Sequence, residues 1–429
     1  LYYFFLEKEI AKINPFAKSF DMLYYLFKYL HATFQWPGTG LFKYISFRAA
    51  MATLSSFTII FLLGQRFIDA LSKKKITESN RPLGFEAKQK IDTPTIGGIL
   101  IILATVVPTL LFSKWHNIYI ILLLTTTIWM GLVGFLDDYI KVFKKQKNGL
   151  NGWIKLLGQV ILGLIVSTTL YFHKNVVIRA LPMTPDQTAT IPSDQVISPT
   201  YNDTKSTKTT IPFFKGNELD YAKITACLLG NTNYTSIIYM LVVVFIIAAV
   251  SNGSNLTDGL DGLAASTSVI VGTTLAVLAY LSGHIIFAQY LNIMYIPNLG
   301  ELTIFCCAFV GACMGFLWYN AYPAQIFMGD TGSLTIGAVI AVVAICIRKE
   351  LMIPMLCGIF LMENLSVILQ TSYFKFTKKR YGVGKRIFKM APLHHHYQKL
   401  GWHESKIVTR FFIINLLLAI ATLVTLKVR

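Results

Sequence analysis

The sequence predicts an all-α integral membrane protein of about ten transmembrane helices, with a polar active-site cleft on its cytoplasmic face. Composition, the spacing of apolar runs and the charge of the loops carry that prediction. Of 429 residues, 54% are hydrophobic and 14% are charged, whereas soluble domains carry about 25% charged residues. One water-soluble core cannot hide that much apolar surface. Runs of ~20 apolar residues can each cross a bilayer as a helix that satisfies its own backbone hydrogen bonds.

The runs fall at roughly 44–63, 96–113, 118–136, 154–172, 236–250, 263–282, 302–319, 333–347, 351–372 and 407–425. Ahead of them, residues 1–40 read as an N-terminal extension and an interfacial segment, the short aromatic stretch MLYYLFKYL at 22–30 lying along the membrane surface. No cleavable signal peptide is expected in LYYFFLEKEIAKINPF. The chain opens at Leu1 while Met22 offers a more natural start, so residues 1–21 read as an upstream extension. One catalytic membrane domain is expected, spans 1–4 in 41–172 and spans 5–10 in 236–429. Between them, 173–235 is rich in Thr, Ser and Pro, has no apolar period, and reads as an extracytoplasmic insertion, a mobile loop or small cap.

Loop charge sets the orientation. Lys and Arg crowd 64–95, 137–155 and 373–406, which share one side if the spans alternate. That side reads as cytoplasmic, leaving both termini outside. The formal charge of +18 therefore points to anionic lipids and substrates rather than nucleic acid. The six cysteines show no CxxC or Cys/His metal spacing and read as small hydrophobes.

Four polar clusters stand at the predicted cytoplasmic ends, where ionisable groups ask for a reason. Asp137, Asp138 and Lys141 occur in GFLDDYIKVFKK, as the third span leaves the membrane. Acids near a helix C-terminus oppose its dipole. They could hold a metal ion between phosphates, or form a polar helix edge. In SNGSNLTDGLDG, Asn252, Asn255, Asp258 and Asp261 step by three and would form a winding stripe on a helix. So dense a run exceeds what a turn requires. Asp330, in MGDTGS, suits Mg²⁺ as a hard oxygen ligand or caps the eighth span. His394, His395 and His396 follow a proline in APLHHHY. On a helix they would point ~100° apart and could not grip one metal; in a loop they could meet phosphate or move a proton. Lesser candidates are Lys90 and Thr95 in KIDTPTIGG, and Glu363, Asn364 and Gln370 within the ninth span, which could equally be helix packing.

Together the pieces TPTIGG, FLDDYIK, NLTDGLDGLA, FMGDTGSL, SVILQ and APLHHHYQKLGWHE resemble the polyprenyl-phosphate N-acetylhexosamine-1-phosphate transferase superfamily. The histidine stretch resembles its phospho-N-acetylmuramoyl-pentapeptide-transferase (MraY) branch. The likeness runs from about residue 41 to 425; the insertion and residues 1–21 depart from the pattern. It implies a Mg²⁺-dependent enzyme of the bacterial inner membrane, acting in peptidoglycan synthesis. Undecaprenyl phosphate would attack the sugar-linked phosphorus of UDP-MurNAc-pentapeptide, releasing UMP and forming lipid I. The resemblance also implies a homodimer. Residue by residue, Asp330 matches the metal-binding aspartate, and Asp137 and Asp138 match paired aspartates that act as base, ligand or positioning groups. His394, His395 and His396 match the histidine triplet. Lys90, Thr95, Lys141, Lys155, Asn252, Asn255, Asp258, Asp261 and Gln370 match substrate contacts. The competing expectations are a GlcNAc-1-phosphate transferase with the same aspartates and, from another class, an ion-coupled transporter. Transporters place such groups near the midplane.

Overall fold

Long apolar runs fold as long helices, and the computed structural model contains little else. It describes residues 23–35, 38–74, 76, 93–146, 149–179, 203–213 and 218–427. Lys90 and the 1–21 extension lie outside these.

The stretch expected at the interface forms α1 (Leu23–Phe34). The spans follow as α2 (Ile45–Lys73), α3 (Gly98–Phe112), α4 (Ile118–Val142) and α5 (Gly152–Phe172). After the insertion and its short helix α6 (Tyr221–Leu229) come α7 (Thr235–Thr257), α8 (Leu263–Ser282), the short α9 (Ile285–Leu291), α10 (Gly300–Asn320) and α11 (Gly329–Cys346). The chain ends with α12 (Ile353–Leu356), α13 (Gly358–Tyr381), α14 (Leu393–Lys399) and α15 (Glu404–Val424). Among the described residues, eight helices are long and apolar enough to cross a membrane. A further helix pair passes the same test together, as a broken span or a re-entrant loop, bent by 78° between Leu356 and Gly358. The tenth expected span is α3, a 15-residue apolar helix containing Pro108. The chain is thus a multi-pass membrane protein. Leu241, Phe245, Trp318 and Leu417 stay exposed, which suits a surface solvated by lipid.

The helices wrap one central element. From Thr331 to Cys346 every residue of α11 is buried, against α3, α4, α7 and α8. Close packing without a hydrophobic drive between helices relies on small residues, and Gly134 of α4 shows why. A Cβ there would collide with the backbone carbonyl of Asp330. The absent side chain brings α4 against the start of α11, and so brings Asp137 and Asp138 to Asp330.

At the far end of α11, roughly 27 Å away at 1.5 Å per residue, the insertion packs down as a cap. Its described part holds two antiparallel ribbons, β1 (Ile178–Arg179) with β2 (Asp203–Thr204) and β3 (Lys208–Thr210) with β4 (Glu218–Asp220), followed by α6. Thr210 N donates to Arg348 O at 3.0 Å, Lys349 Nζ to Thr210 Oγ1 at 2.9 Å and Tyr221 OH to Glu350 Oε1 at 3.0 Å. Beside it, Arg48 grips Glu301 with both guanidinium nitrogens, at 2.8 and 2.7 Å.

Candidate active site

The site is built on the start of α11. Gly329 has φ +70°, a left-handed conformation that glycine adopts without penalty, and a Cβ there would crowd the Asp138 carboxylate. Asp138 reaches across from α4 to cap the exposed amides. Its Oδ1 accepts from Asp330 N at 3.0 Å, and its Oδ2 from Thr331 N at 2.9 Å and Thr331 Oγ1 at 2.6 Å. An acid unfavourable at the end of its own helix is therefore stabilised by the amide-rich N-terminus of a neighbour. Capping by Asp138 also leaves the Asp330 side chain out of capping.

Two lysines stand among the carboxylates. Lys155 Nζ lies 2.5 Å from Asp330 Oδ2 and 3.0 Å from Asp137 Oδ1. Lys141 Nζ lies 2.6 Å from Asp137 Oδ2 and 3.2 Å from Asp330 Oδ2. Asn255 Nδ2 donates to Asp330 Oδ1 and to Ser333 Oγ, both at 2.9 Å. Leu150 N donates to Asp137 Oδ1 at 2.6 Å. One oxygen from each of Asp137, Asp138 and Asp330 lies within 4.8 Å of the others. Three carboxylates against two ammonium groups leave a net negative centre with hard oxygen donors, which fits a divalent cation. Asp330 and Asp137, whose charged partners are displaceable lysines, fit that role better than Asp138, whose oxygens hold backbone.

Other expected residues also make contacts that hold the scaffold. The helical stripe stops at Thr257, and Asp258 to Gly262 form a turn, so Asp258 and Asp261 leave the face that Asn255 presents. Asp261 Oδ2 accepts from Ala324 N at 3.1 Å, tying the α7–α8 turn to the α10–α11 loop. Asn252 Nδ2 donates to Gln159 Oε1 at 3.0 Å. Gln370 pins the basic loop, accepting from Ile387 N and Phe388 N and donating to Phe388 O, each at 3.0 Å. Thr95 is buried beside the start of α3.

The histidine triplet lies on helix α14 rather than in a loop, and its rings part as helical geometry requires. His394 is fully buried against Glu363, His395 Nδ1 meets Gln398 Oε1 at 2.7 Å, and His396 Nδ1 accepts from Lys389 N at 3.1 Å. Thr331, Ser333 and Gln159, which hold Asp138, Asn255 and Asn252, escaped sequence reasoning as partners of the expected site residues. Gln159 follows Lys155 by four on one helix face, a signal that was there to be read.

A lysine-bridged aspartate cluster at one end of an apolar helix bundle is the equipment of a membrane-embedded enzyme handling phosphorylated groups. Residues 120–348 match the model of glycosyl transferase family 4. The chain is 63% identical over 409 residues to the phospho-N-acetylmuramoyl-pentapeptide-transferase of Amoebophilus asiaticus, 58% over 410 to that of Flavobacterium psychrophilum and 53% over 427 to that of Parabacteroides distasonis. In each comparison 95% of this chain aligns with 100% of the relative. The chain belongs to the phospho-N-acetylmuramoyl-pentapeptide-transferase family.

Proposed function

We propose that this protein transfers phospho-MurNAc-pentapeptide from UDP-MurNAc-pentapeptide to undecaprenyl phosphate, in the bacterial inner membrane with the site facing the cytoplasm. An oxygen of the acceptor phosphate bonds to the sugar-linked phosphorus; the bond from that phosphorus to the bridging oxygen breaks, and UMP leaves with that oxygen. The observation that carries the reading is the sharing of Lys141 and Lys155 between Asp137 and Asp330. Such transfers need positioning and charge neutralisation above all.

In this reading Lys141 and Lys155 turn from the carboxylates to the donor's diphosphate, and Asn255 keeps Asp330 oriented. Asp138 fixes the α11 start on which Asp330 stands. Asp330 and Asp137 would hold Mg²⁺, which supplies charge neutralisation when bound. The lipid acceptor accounts for the membrane, and the anionic donor for the lysines. A homodimer is the proposed assembly, to be tested by mass measurement in detergent.

The deciding experiment follows UMP release by detergent-purified protein with undecaprenyl phosphate, Mg²⁺ and either UDP-MurNAc-pentapeptide or UDP-GlcNAc. Release with the first donor, lost on chelation, is expected. Release with UDP-GlcNAc alone would overturn the donor assignment, and undiminished release in chelator would remove the metal.

A further inference from the structure

Glu363 is a carboxylate buried in α13, with lipid-exposed Leu361 and Met362 beside it in sequence. A buried acid is costly unless something compensates it. Glu363 is placed against a single residue at two points. Its Oε1 accepts from His394 N at 3.3 Å, and its Oε2 lies 3.2 Å from His394 Nδ1. A carboxylate packed beside Nδ1 restricts the ring's orientation. Neither ring nitrogen has a hydrogen-bond partner among the described residues, so the Glu363 approach to Nδ1 is a close contact, and the opposite nitrogen, Nε2, lies buried under Gly259. A Cβ on Gly259 would overlap that nitrogen. The imidazole is therefore a prop beneath the turn rather than a group in open solvent.

That turn begins at Asp258, three residues after Asn255, whose amide holds Asp330. Its other end is anchored elsewhere: Asp261 N donates to Glu404 Oε1 at 2.6 Å and Gly262 N to Asn320 Oδ1 at 3.0 Å. Next to Glu363, Asn364 Nδ2 donates to Ala249 O at 2.9 Å, locking α13 to α7. The height of the Asp258–Gly259 segment thus follows the ring below it, and the ring follows Glu363.

We propose that Glu363 is a positioning residue for the transfer: by holding His394 at backbone and ring, it sets the Asp258–Gly259 turn at the height where the donor's diphosphate is bound. This rests on the proposed transfer reaction and on the expectation, implied by the resemblance, that Asp258 contacts the donor. Glu363 touches no reacting atom and acts through His394.

The test is a double-mutant cycle on the full chain, with Glu363→Gln, His394→Asn and both together, following UMP release against each substrate. Glu363→Gln should raise the KM for UDP-MurNAc-pentapeptide about tenfold, as small misplacements do. The KM for undecaprenyl phosphate and the unfolding temperature should stay near wild type. In the His394→Asn background the same change should add nothing, because interacting residues are non-additive. Glu363→Asp should recover part of the loss, and it replaces Glu363→Gln in the cycle if the glutamine variant fails to fold. If His394→Asn turns over too slowly to follow, calorimetric binding of UDP-MurNAc-pentapeptide closes the same cycle. Wild-type kinetics in Glu363→Gln, equal losses for both substrates, or effects that multiply with His394→Asn would each overturn the proposal. A wild-type protein that used UDP-GlcNAc instead would sink the donor assignment separately, and the cycle run with that donor would still decide Glu363.

Discussion

Arg48 and Glu301 meet fork to fork at the far end of the bundle, both almost completely buried, with Lys114 N adding a hydrogen bond to Glu301 Oε2 at 2.9 Å. At the site end, Asp137 and Asp330 share two lysines, neither of which belongs to one acid. Both ends bury charge. The first arrangement is closed, with a bidentate geometry that leaves little to offer a ligand. In the second, the contacts are divided among several partners, so an incoming phosphate or cation can take over some without stranding a charge. Burial of ionisable groups does not by itself distinguish scaffold from site in this molecule: Glu301 also has Lys114 Nζ at 3.7 Å, and what differs is the bidentate Arg48 fork at one end against contacts divided among lysines at the other.

If that distinction is right, the two ends should fail differently. Asp330→Ala should lower turnover by about a thousandfold or more, in the range of losing a group that stabilises transition-state charge, with little change in unfolding temperature. Near wild-type UMP release from a folded Asp330→Ala protein would erase the contrast. Arg48→Leu should do the reverse. Leaving Glu301 buried without its bidentate partner should cost about 3 kcal/mol of stability, visible as a lowered unfolding temperature, while the protein that remains folded keeps its specific activity.

A smaller effect is expected where the cap docks. Burial pushes the Lys349 ammonium down from 10.5 to about 8. Between those values the docked state has released a proton that the undocked state still binds. Docking should therefore strengthen as pH rises from about 8 towards 10.5, and be weakest below 8. Slower limited proteolysis of the cap across that window, and loss of the trend in Lys349→Met, are the expected readings. A flat profile in the unsubstituted protein would show that Lys349 does not govern the cap.

Much of the fold was legible because hydropathy and helix period are local properties. The run expected at 263–282 is the helix Leu263–Ser282. The break between Leu356 and Gly358 was not legible, since a hydropathy window counts apolar residues without registering their direction. In the site, Asp137, Asp138, Lys141, Lys155, Asn255 and Asp330 converge as their motifs suggested. Asn252, Asp261 and Gln370 sat in equally polar surroundings, and the structure also ties them to Gln159, Ala324 and the 387–388 backbone. Those partners lie 93, 63 and 17 or 18 residues away in the chain, and no local pattern announces them. Arg48 and Glu301, 253 residues apart, carry no local mark of their pairing, one lying within the first expected span and the other just ahead of the seventh.

The burial of α11 from Thr331 to Cys346 has a bearing on how the protein ages. Amides in so enclosed a segment exchange with solvent only through the largest openings of the molecule. The aspartate at its head cannot drift out of register while the rest stays intact, because the helix beneath it has nowhere to move. Heat inactivation and global unfolding should then share one midpoint and one rate, with no long-lived population that is folded but inert.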